Sequence, residues 1–330
     1  MNVATKSLSS LNWTSLFLDE TPGDVIVGGS PRQAPGACWS RVRPEMMPDT
    51  TLRLWSTEMA AELGINESDA PYLGGDKLTE GMDPYSQRYG GHQFGTWAGQ
   101  LGDGRAITLG EVNLGGKSLE LQVKGSGATP YSRFSDGRAV LRSSIREFLC
   151  SEAMYHLGVP TTRALSLVST GEDVIRDIMY DGRPAPEPGA IVCRVAESFI
   201  RFGSFQIHTL TGDFDALKTL VDYTVKHHFP LHDVGNDEGL IEWLKQIADD
   251  TASMIAHWMR VGFVHGVMNT DNMSIHGLTI DYGPYGWLEN FDPDWTPNTT
   301  DAERRRYRFG HQAQIGAWNY ARLLLSLIHI

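Results

Sequence analysis

The sequence of 330 residues is poor in cysteine and contains no long apolar run. Its three cysteines, Cys38, Cys150 and Cys193, lie far apart without C-x-x-C spacing, which predicts reduced thiols rather than a disulfide framework or a zinc site. No stretch of about 18 apolar residues occurs, so the sequence predicts no membrane span. The first residues lack an apolar core and an Arg-rich amphipathic pattern. We therefore expect neither a signal peptide nor a transit peptide, and a cytoplasmic location.

Positive charge is also scarce. Lys and Arg together number 28 against 40 Asp and Glu, which gives a formal net charge of −12. Non-specific binding to nucleic acid requires a basic surface that displaces counterions, so we expect no nucleic-acid partner. The rest of the composition, 41% hydrophobic and 21% charged, is typical of a globular protein. The length allows two lobes of ordinary size.

Residues 264–286 contain the densest group of side chains suited to chemistry. The stretch reads VHGVMNTDNMSIHGLTIDYGPYG and includes His265, Asp271, Asn272 and Asp281. The mostly apolar segment 273–280, between Asn272 and Asp281, predicts a tight β-hairpin. This hairpin would bring the carboxylates of Asp271 and Asp281 and the amide of Asn272 to one end. Carboxylate and amide oxygens are the ligands that Mg²⁺ prefers. A divalent metal beside phosphates is the chemistry of nucleotide transfer.

The same stretch resembles the catalytic and metal loops of kinase-like enzymes, which read H-R-D-x-x-x-x-N and later D-F-G. His265 and Asn272 have the required separation, and residues 281–283, Asp-Tyr-Gly, take the D-F-G place. Val267 stands where a kinase has its catalytic Asp, whereas Asp271 lies directly before the metal-type Asn. The pattern therefore predicts that the usual base is missing and that another residue replaces it. A plain acidic hairpin is the weaker alternative, because packing does not explain a metal triad at loop ends.

Glycines cluster ahead of a predicted hairpin in the N-terminal half. Residues 85–105 are rich in glycine, which lets a backbone approach a ligand, although such clusters are more often plain turns. Residues 106–112 and 117–124 are predicted to form the two strands of the hairpin. Lys124 ends its polar face, where a kinase-like fold places the lysine that pairs with phosphates. A solvated strand lysine is the alternative.

A helix is predicted within residues 132–157, capped by Ser135 or Asp136. Glu147 borders its apolar face and is expected to pair with the lysine of the hairpin, as the helix C Glu of a kinase does. Asp136 and Gly137 would lie at the helix N-terminus, where free N–H groups and the helix dipole favour phosphate. Because a carboxylate repels phosphate, we assign Asp136 a cap or a polar contact.

The C-terminal half is predicted to be helical. Residues 201–212 are expected to link two lobes, and residues 214–228 and 239–261 show apolar side chains at helical spacing. The second of these helices leads directly into His265, as the long helix before a kinase catalytic loop does. Residues 313–328 form a final apolar helix with more apolar surface than a helix facing water on one side needs.

Four longer motifs resemble the selenoprotein O family of kinase-like protein adenylyltransferases. They read YGGHQFGTWAGQLGDGRA, LQVKGSGATPYSRFSDGRAVLRSSIREFL, ESFIRFGSFQ and HGVMNTDNMSIHGLTIDYGPYGW, in this order. The resemblance extends over nearly the whole chain. It implies an α+β, two-lobed protein-kinase-like fold, with an N-terminal extension and β-rich nucleotide-binding lobe at residues 1–200. A helical lobe with the catalytic and metal loops follows at residues 201–330. Family members continue beyond this chain's last residue, so we expect that lobe to be C-terminally truncated.

The resemblance also implies an enzyme, a protein adenylyltransferase. It would transfer AMP from ATP to Ser, Thr or Tyr hydroxyls of protein substrates, with Mg²⁺ or alternatively Mn²⁺ as the metal. Asp271 would be the general base, and Asn272 and Asp281 the metal ligands. The nucleotide would be bound by Gly102, Gly104, Arg105, Lys124, Asp136, Gly137, Glu147, Arg194, Arg201 and Asp281.

Two other functions stay open, a phosphotransferase of the kinase type and a catalytically inactive nucleotide-binding pseudokinase scaffold. Val267 argues against the first, and the retained Asp271, Asn272 and Asp281 argue against the second. We expect a monomer. Some family members have a redox-active Cys in the loop after D-Y-G and another near the C-terminus. Residues 289–301 contain no Cys, which argues against such control here and leaves the question open.

Overall fold

The computed structural model describes residues 7–178 and 181–330. The predicted first lobe, residues 1–200, therefore includes a few positions outside the described residues. The strands are β1 (Trp13–Thr14), β2 (Trp39–Arg41), β3 (Thr51–Trp55), β4 (Tyr85–Gln87), β5 (Gly90–Gln93), β6 (Thr96–Gln100), β7 (Ala106–Leu114), β8 (Lys117–Lys124), β9 (Ala139–Val140), β10 (Arg163–Arg176), β11 (Ala185–Ala196), β12 (Phe263–Val264) and β13 (Gly286–Trp287). The helices are α1 (Leu16–Glu20), α2 (Thr57–Leu63), α3 (Ala70–Leu73), α4 (Leu141–His156), α5 (Phe202–Thr211), α6 (Phe214–His228), α7 (Asp237–Arg260) and α8 (Gln312–Leu327).

An antiparallel sheet dominates the N-terminal half of this mixed α/β fold. Its strand order is β2-β4-β7-β8-β11-β10-β3, with β1 added at β7 and β9 at β11. β7 and β8 pair from Ala106 opposite Lys124 to Leu114 opposite Lys117. The predicted hairpin is therefore confirmed. Its alternating side chains bury one apolar row in the sheet and leave Lys124 at the strand end.

The helix predicted within residues 132–157 is shorter than expected. α4 begins only at Leu141, and Val140 is its N-cap residue. The prediction that Ser135 or Asp136 caps this helix is wrong. The residues directly before the helix form β9, which pairs with β11, and this non-local pairing leaves no helical turn for those caps.

The hairpin predicted for residues 273–280 is also wrong. Ser274 forms a bridge with Arg201, and Thr279 forms a bridge with Thr161. The segment therefore pairs with two distant parts of the chain instead of with itself. The residues at its two ends still lie close together, because Arg201 Nη1 contacts both the main-chain oxygen of Asp271 and Oδ2 of Asp281.

The C-terminal half is helical as predicted. α6 has the predicted bounds, and α7 differs from its prediction by two residues at the start and one at the end. Residues 201–212, predicted as a linker, instead form α5, whose Phe202, Phe205 and Ile207 are buried. Helices α5, α7 and α8 pack together. α8 begins and ends one residue earlier than predicted.

Apolar side chains form two main cores. The sheet core includes Leu109, Val123 and Cys193. The helical core includes Trp243, Trp258, Leu323, Cys38 and Cys150. All three cysteines are free and buried, and burial raises the pKa of each thiol to about 12. Within residues 7–178 and 181–330, no helix has the length and apolar character needed to cross a membrane.

Candidate functional site

Lys124 and Glu147 form a buried ion pair between β8 and α4. The Lys124 Nζ atom lies 2.7 Å from Glu147 Oε2 and 3.0 Å from Oε1. The expected contact between these two residues is therefore present. Burial lowers the pKa of the Lys124 ammonium group, and the carboxylates of Glu147 and Asp281 oppose this shift. Two anions thus favour the charged lysine in a place that solvent hardly reaches.

Asp281 is the common anion of three cations. Its Oδ1 lies 2.7 Å from Arg194 Nη1 and 3.4 Å from Lys124 Nζ, and its Oδ2 lies 2.7 Å from Arg201 Nη1. Burial alone would raise the pKa of the Asp281 carboxyl. The charges of Arg201, Lys124 and Arg194 outweigh burial and hold that pKa well below its usual range. Asp281 is therefore ionised at neutral pH.

Three further side chains, for which no role was predicted, complete this cluster. Gln122 Oε1 accepts a hydrogen bond from Arg194 Nη2. Asp103 Oδ1 lies 3.8 Å from Arg201 Nη2, and the Arg201 guanidinium stacks 4.2 Å from the ring centre of Tyr89. Both polar residues had a signal in the sequence. Gln122 shares the polar face of β8, and Asp103 stands between the two glycines of a predicted turn.

Two arginine donors in the cluster are left over. Within the described part of the chain, Arg194 Nε and Arg201 Nη2 are buried and have no hydrogen-bond partner. Burying a donor of a charged group without a partner costs more than about 1–3 kcal/mol. The nearest anion to the second of these donors is the Asp103 carboxylate, 3.8 Å from Arg201 Nη2.

The catalytic loop predicted around Asp271 lies beside this cluster. Asp271 is buried in a short 3-10 helix, and its main-chain oxygen accepts a 2.8 Å hydrogen bond from Arg201 Nη1. Burial raises the pKa of the Asp271 carboxyl to about 6. Asn272 Nδ2 donates to the Val267 carbonyl over 2.8 Å. The His265 ring makes a 2.8 Å hydrogen bond to the main-chain oxygen of the residue before Asp281, and so ties the two loops together.

The glycine-rich turn lies next to the lysine. Ala106, directly after Arg105, is opposite Lys124 in the β7–β8 pairing. Gly102 has φ +98°, and a β-carbon there would lie 2.5 Å from the Tyr131 ring. Packing against this ring therefore accounts for the glycine without a ligand. Arg105 is exposed at the start of β7.

Asp136 and Gly137 lie in the loop between β8 and β9, and β9 separates them in sequence from the first turn of α4. Asp136 binds Arg176 through two contacts of 2.7 and 2.8 Å. The Arg176 side chain thereby lowers the pKa of the Asp136 carboxyl. A β-carbon at Gly137 would lie 2.0 Å from the Gly127 carbonyl oxygen. The helix-dipole argument for phosphate at these two residues therefore does not apply.

Comparison with known proteins decides the family. The family model described as protein adenylyltransferase SelO matches residues 32–330. The chain belongs to the SelO family.

Individual relatives of this SelO chain are proteins named protein nucleotidyltransferase YdiU. The chain is 61% identical to the relative from Azoarcus sp. (strain BH72) over 318 residues, which cover 94% of the chain and 61% of that relative. The chain is 60% identical to the relative from Aromatoleum aromaticum, and the match covers 94% of the chain and 62% of that relative. It is 59% identical to the relative from Methylobacillus flagellatus, and that match covers 96% of the chain and 63% of the relative. The SelO chain therefore spans about three-fifths of the length of these curated relatives.

Proposed function

We propose that this chain contains the active site of a protein adenylyltransferase, which transfers AMP from ATP to Ser, Thr or Tyr hydroxyls of protein substrates. Membership of the SelO family supports the reaction class. The observation that carries the proposal is the buried cluster in which Arg194, Arg201 and Lys124 surround Asp281. The catalytic loop with Asp271 lies directly against it.

Phosphate oxygens fit the unused donors of this cluster. Arg194 Nε and Arg201 Nη2 are buried without partners in the described residues, and guanidinium groups bind phosphate strongly. Lys124, oriented by Glu147, is the third cation in contact with Asp281. Gly102, Gly104, Arg105, Asp136 and Gly137 are assigned to the nucleotide by the family resemblance.

The oxygen donors of Asn272 and Asp281 fit a hard divalent cation, which we propose is Mg²⁺, with Mn²⁺ as the alternative. Within the described ranges, no group of three or more His, Cys, Asp and Glu side chains is arranged to hold a metal. The amide oxygen of Asn272 is therefore an essential part of the proposed donor set. The cation would neutralise phosphate charge as the reaction proceeds.

We propose that Asp271 is the general base. In the proposed reaction the acceptor oxygen bonds to the α-phosphorus, the bond from that phosphorus to pyrophosphate breaks, and Asp271 takes the hydroxyl proton. The Asp271 carboxyl is buried beside the cluster, and Gln93 Nε2 lies 3.4 Å from its Oδ2. Val267 offers no carboxylate at the kinase position.

The wider setting follows from the same assignment. We propose that the sheet and the helices are the two lobes of a protein-kinase-like fold, divided near residue 200. The sheet core, whose members all precede residue 200, supports this division, while the helical core also includes Cys38 and Cys150 from the N-terminal half. We further propose a monomer in the cytoplasm that acts on ATP and protein substrates and not on nucleic acid.

The test is to incubate the chain and a protein extract with ATP labelled on either the α- or the γ-phosphate. We expect protein to be labelled from the α-phosphate alone, with loss of labelling in EDTA and a strongly reduced but measurable rate in Asp271→Asn. Labelling from the γ-phosphate alone would identify a phosphotransferase. ATP binding without labelling from either phosphate would identify a scaffold, and both results would overturn the proposal.

A further inference from the structure

The hairpin of β5 and β6 lies against the catalytic loop. The His92 main-chain N–H donates to Thr270 Oγ1 over 2.8 Å, and the Phe94 N–H donates to Asn269 Oδ1 over 3.3 Å. These bonds hold the hairpin to the two residues directly before Asp271. The segment between the bonds is therefore fixed beside the proposed base.

The backbone of the hairpin is packed directly against Asp271. A β-carbon at Gly91 would lie 2.1 Å from Asp271 Oδ1, and one at Gly203 would lie 2.0 Å from the Gly90 carbonyl oxygen. Both distances are far below van der Waals contact. Hairpin, α5 and catalytic loop are therefore packed without spare volume, and the Asp271 carboxylate has little freedom to turn.

One hairpin side chain contacts the carboxylate itself. Gln93 Nε2 lies 3.4 Å from Asp271 Oδ2. A carboxylate only accepts hydrogen bonds, so the amide N–H of Gln93 must be the group that faces it. The other oxygen, Oδ1, has no partner in the described part of the chain although it is buried.

We propose that Gln93 is a positioning residue for the reaction. Its amide N–H holds Oδ2 of Asp271 and so fixes the orientation of the carboxylate, whose Oδ1 lies against the backbone of Gly91. Gly91 sets how far the carboxylate can turn. This inference rests on the proposed function, because it requires Asp271 to act as the base.

The test compares Gln93→Leu and Gln93→Glu, which keep the size of the side chain and remove its N–H donor. The control is Thr96→Val, which changes the exposed residue opposite Gln93 in the hairpin. We expect kcat for AMP transfer to fall about tenfold in Gln93→Leu and further in Gln93→Glu, where two carboxylates would repel each other. KM for ATP should stay within about twofold, and Thr96→Val should match the parent.

A double-mutant cycle separates positioning from a general effect on structure. In the Asp271→Asn background, Gln93→Leu should cause no further loss of kcat, because both changes remove the same interaction. The inference is overturned if Gln93→Leu keeps the parent kcat, if its loss adds to that of Asp271→Asn, or if ATP affinity falls as much as kcat. An inactive parent chain would instead overturn the proposed function, and this inference with it.

Discussion

At the scale of single residues, Lys124 allows a direct test of the cation cluster. Lys124→Met keeps the length of the side chain and removes the ammonium group that contacts Glu147 and Asp281. We expect kcat/KM for ATP to fall at least about tenfold, because a charge-assisted phosphate contact is lost. The control is Lys117→Met at the exposed start of the same strand. Equal kinetics in both variants would contradict the assignment.

Asp281 should matter for stability as well as for binding. In Asp281→Asn, two buried guanidinium groups, those of Arg201 and Arg194, lose the anion that each contacts at 2.7 Å. We expect the free energy of unfolding in urea to fall by about 3 kcal/mol, since removing one partner of a buried pair leaves uncompensated charge.

The matched control for this loss is Asp83→Asn, which breaks the solvent-exposed ion pair with Arg41 and should cost at most about 1 kcal/mol. A cost for Asp281→Asn no larger than that of the control would show that the cluster does not need this anion in order to fold. Nucleotide binding by the Asp281→Asn variant should therefore be measured only at temperatures where this variant is folded.

The sequence predicted individual residues best where a motif fixes their spacing. Lys124 and Glu147 were paired from the order of strand and helix, and they are in contact. The contacts of Asp103 and Gln122 with the arginines of the cluster were not predicted. Their contacts join β8, β11 and a distant loop, and no local pattern encodes which strands become neighbours.

At the scale of elements, the β7–β8 pair contains a buried carboxyl that makes stability depend on pH. Burial raises the pKa of Glu120 from 4.5 to about 8. Because the folded-state pKa lies above the unfolded value, the folded state binds the proton more tightly. The stabilisation is complete below about pH 4.5 and is lost as the pH rises to about 8. We expect the melting temperature of the parent, relative to that of Glu120→Gln, to fall between pH 5 and 8. Buried histidines such as His208 and His276, whose lowered pKa values act in the opposite direction, are common to both proteins.

Some slope should remain in Glu120→Gln, because burial also raises the pKa of its cross-strand neighbour Glu111 to about 7. The comparison is a series of thermal melts of parent and variant in buffers of equal ionic strength. Parallel curves across this range would show that Glu120 does not bind a proton preferentially in the folded state.

Elements with a strong local period were predicted to within two residues, and elements defined by distant pairing were not. α6 and α7 have amphipathic spacing that needs no tertiary information. The start of α4 was wrong because residues 139–140 pair with β11. The hairpin predicted for residues 273–280 was wrong for the same reason, because the apolar spacing of this segment is compatible with pairing to any strand.

At the scale of the whole molecule, substitutions in α8 test whether the helical core is well packed. The sequence suggested more apolar surface on this helix than the fold could cover, yet Ile315, Leu323 and Leu327 are buried. We expect Leu323→Ala to lower the free energy of unfolding by about 2–5 kcal/mol, because it opens a cavity in this core. Leu325→Ala, at a side chain that is 50% exposed, should change it by at most about 0.5 kcal/mol. Similar small effects at both positions would mean that α8 contributes little to the core.

The three buried thiols give the folded chain the reactivity of a cysteine-free protein. Alkylating reagents attack the thiolate, and a thiol with a pKa of about 12 is almost entirely protonated at neutral pH. Each cysteine should therefore be modified only when the region around it opens. Cys193 lies in the sheet core, whereas Cys38 and Cys150 lie in the helical core. The order in which a mass spectrometer finds the three sites alkylated would show which core opens first, and simultaneous modification would show that the whole chain unfolds as one cooperative unit.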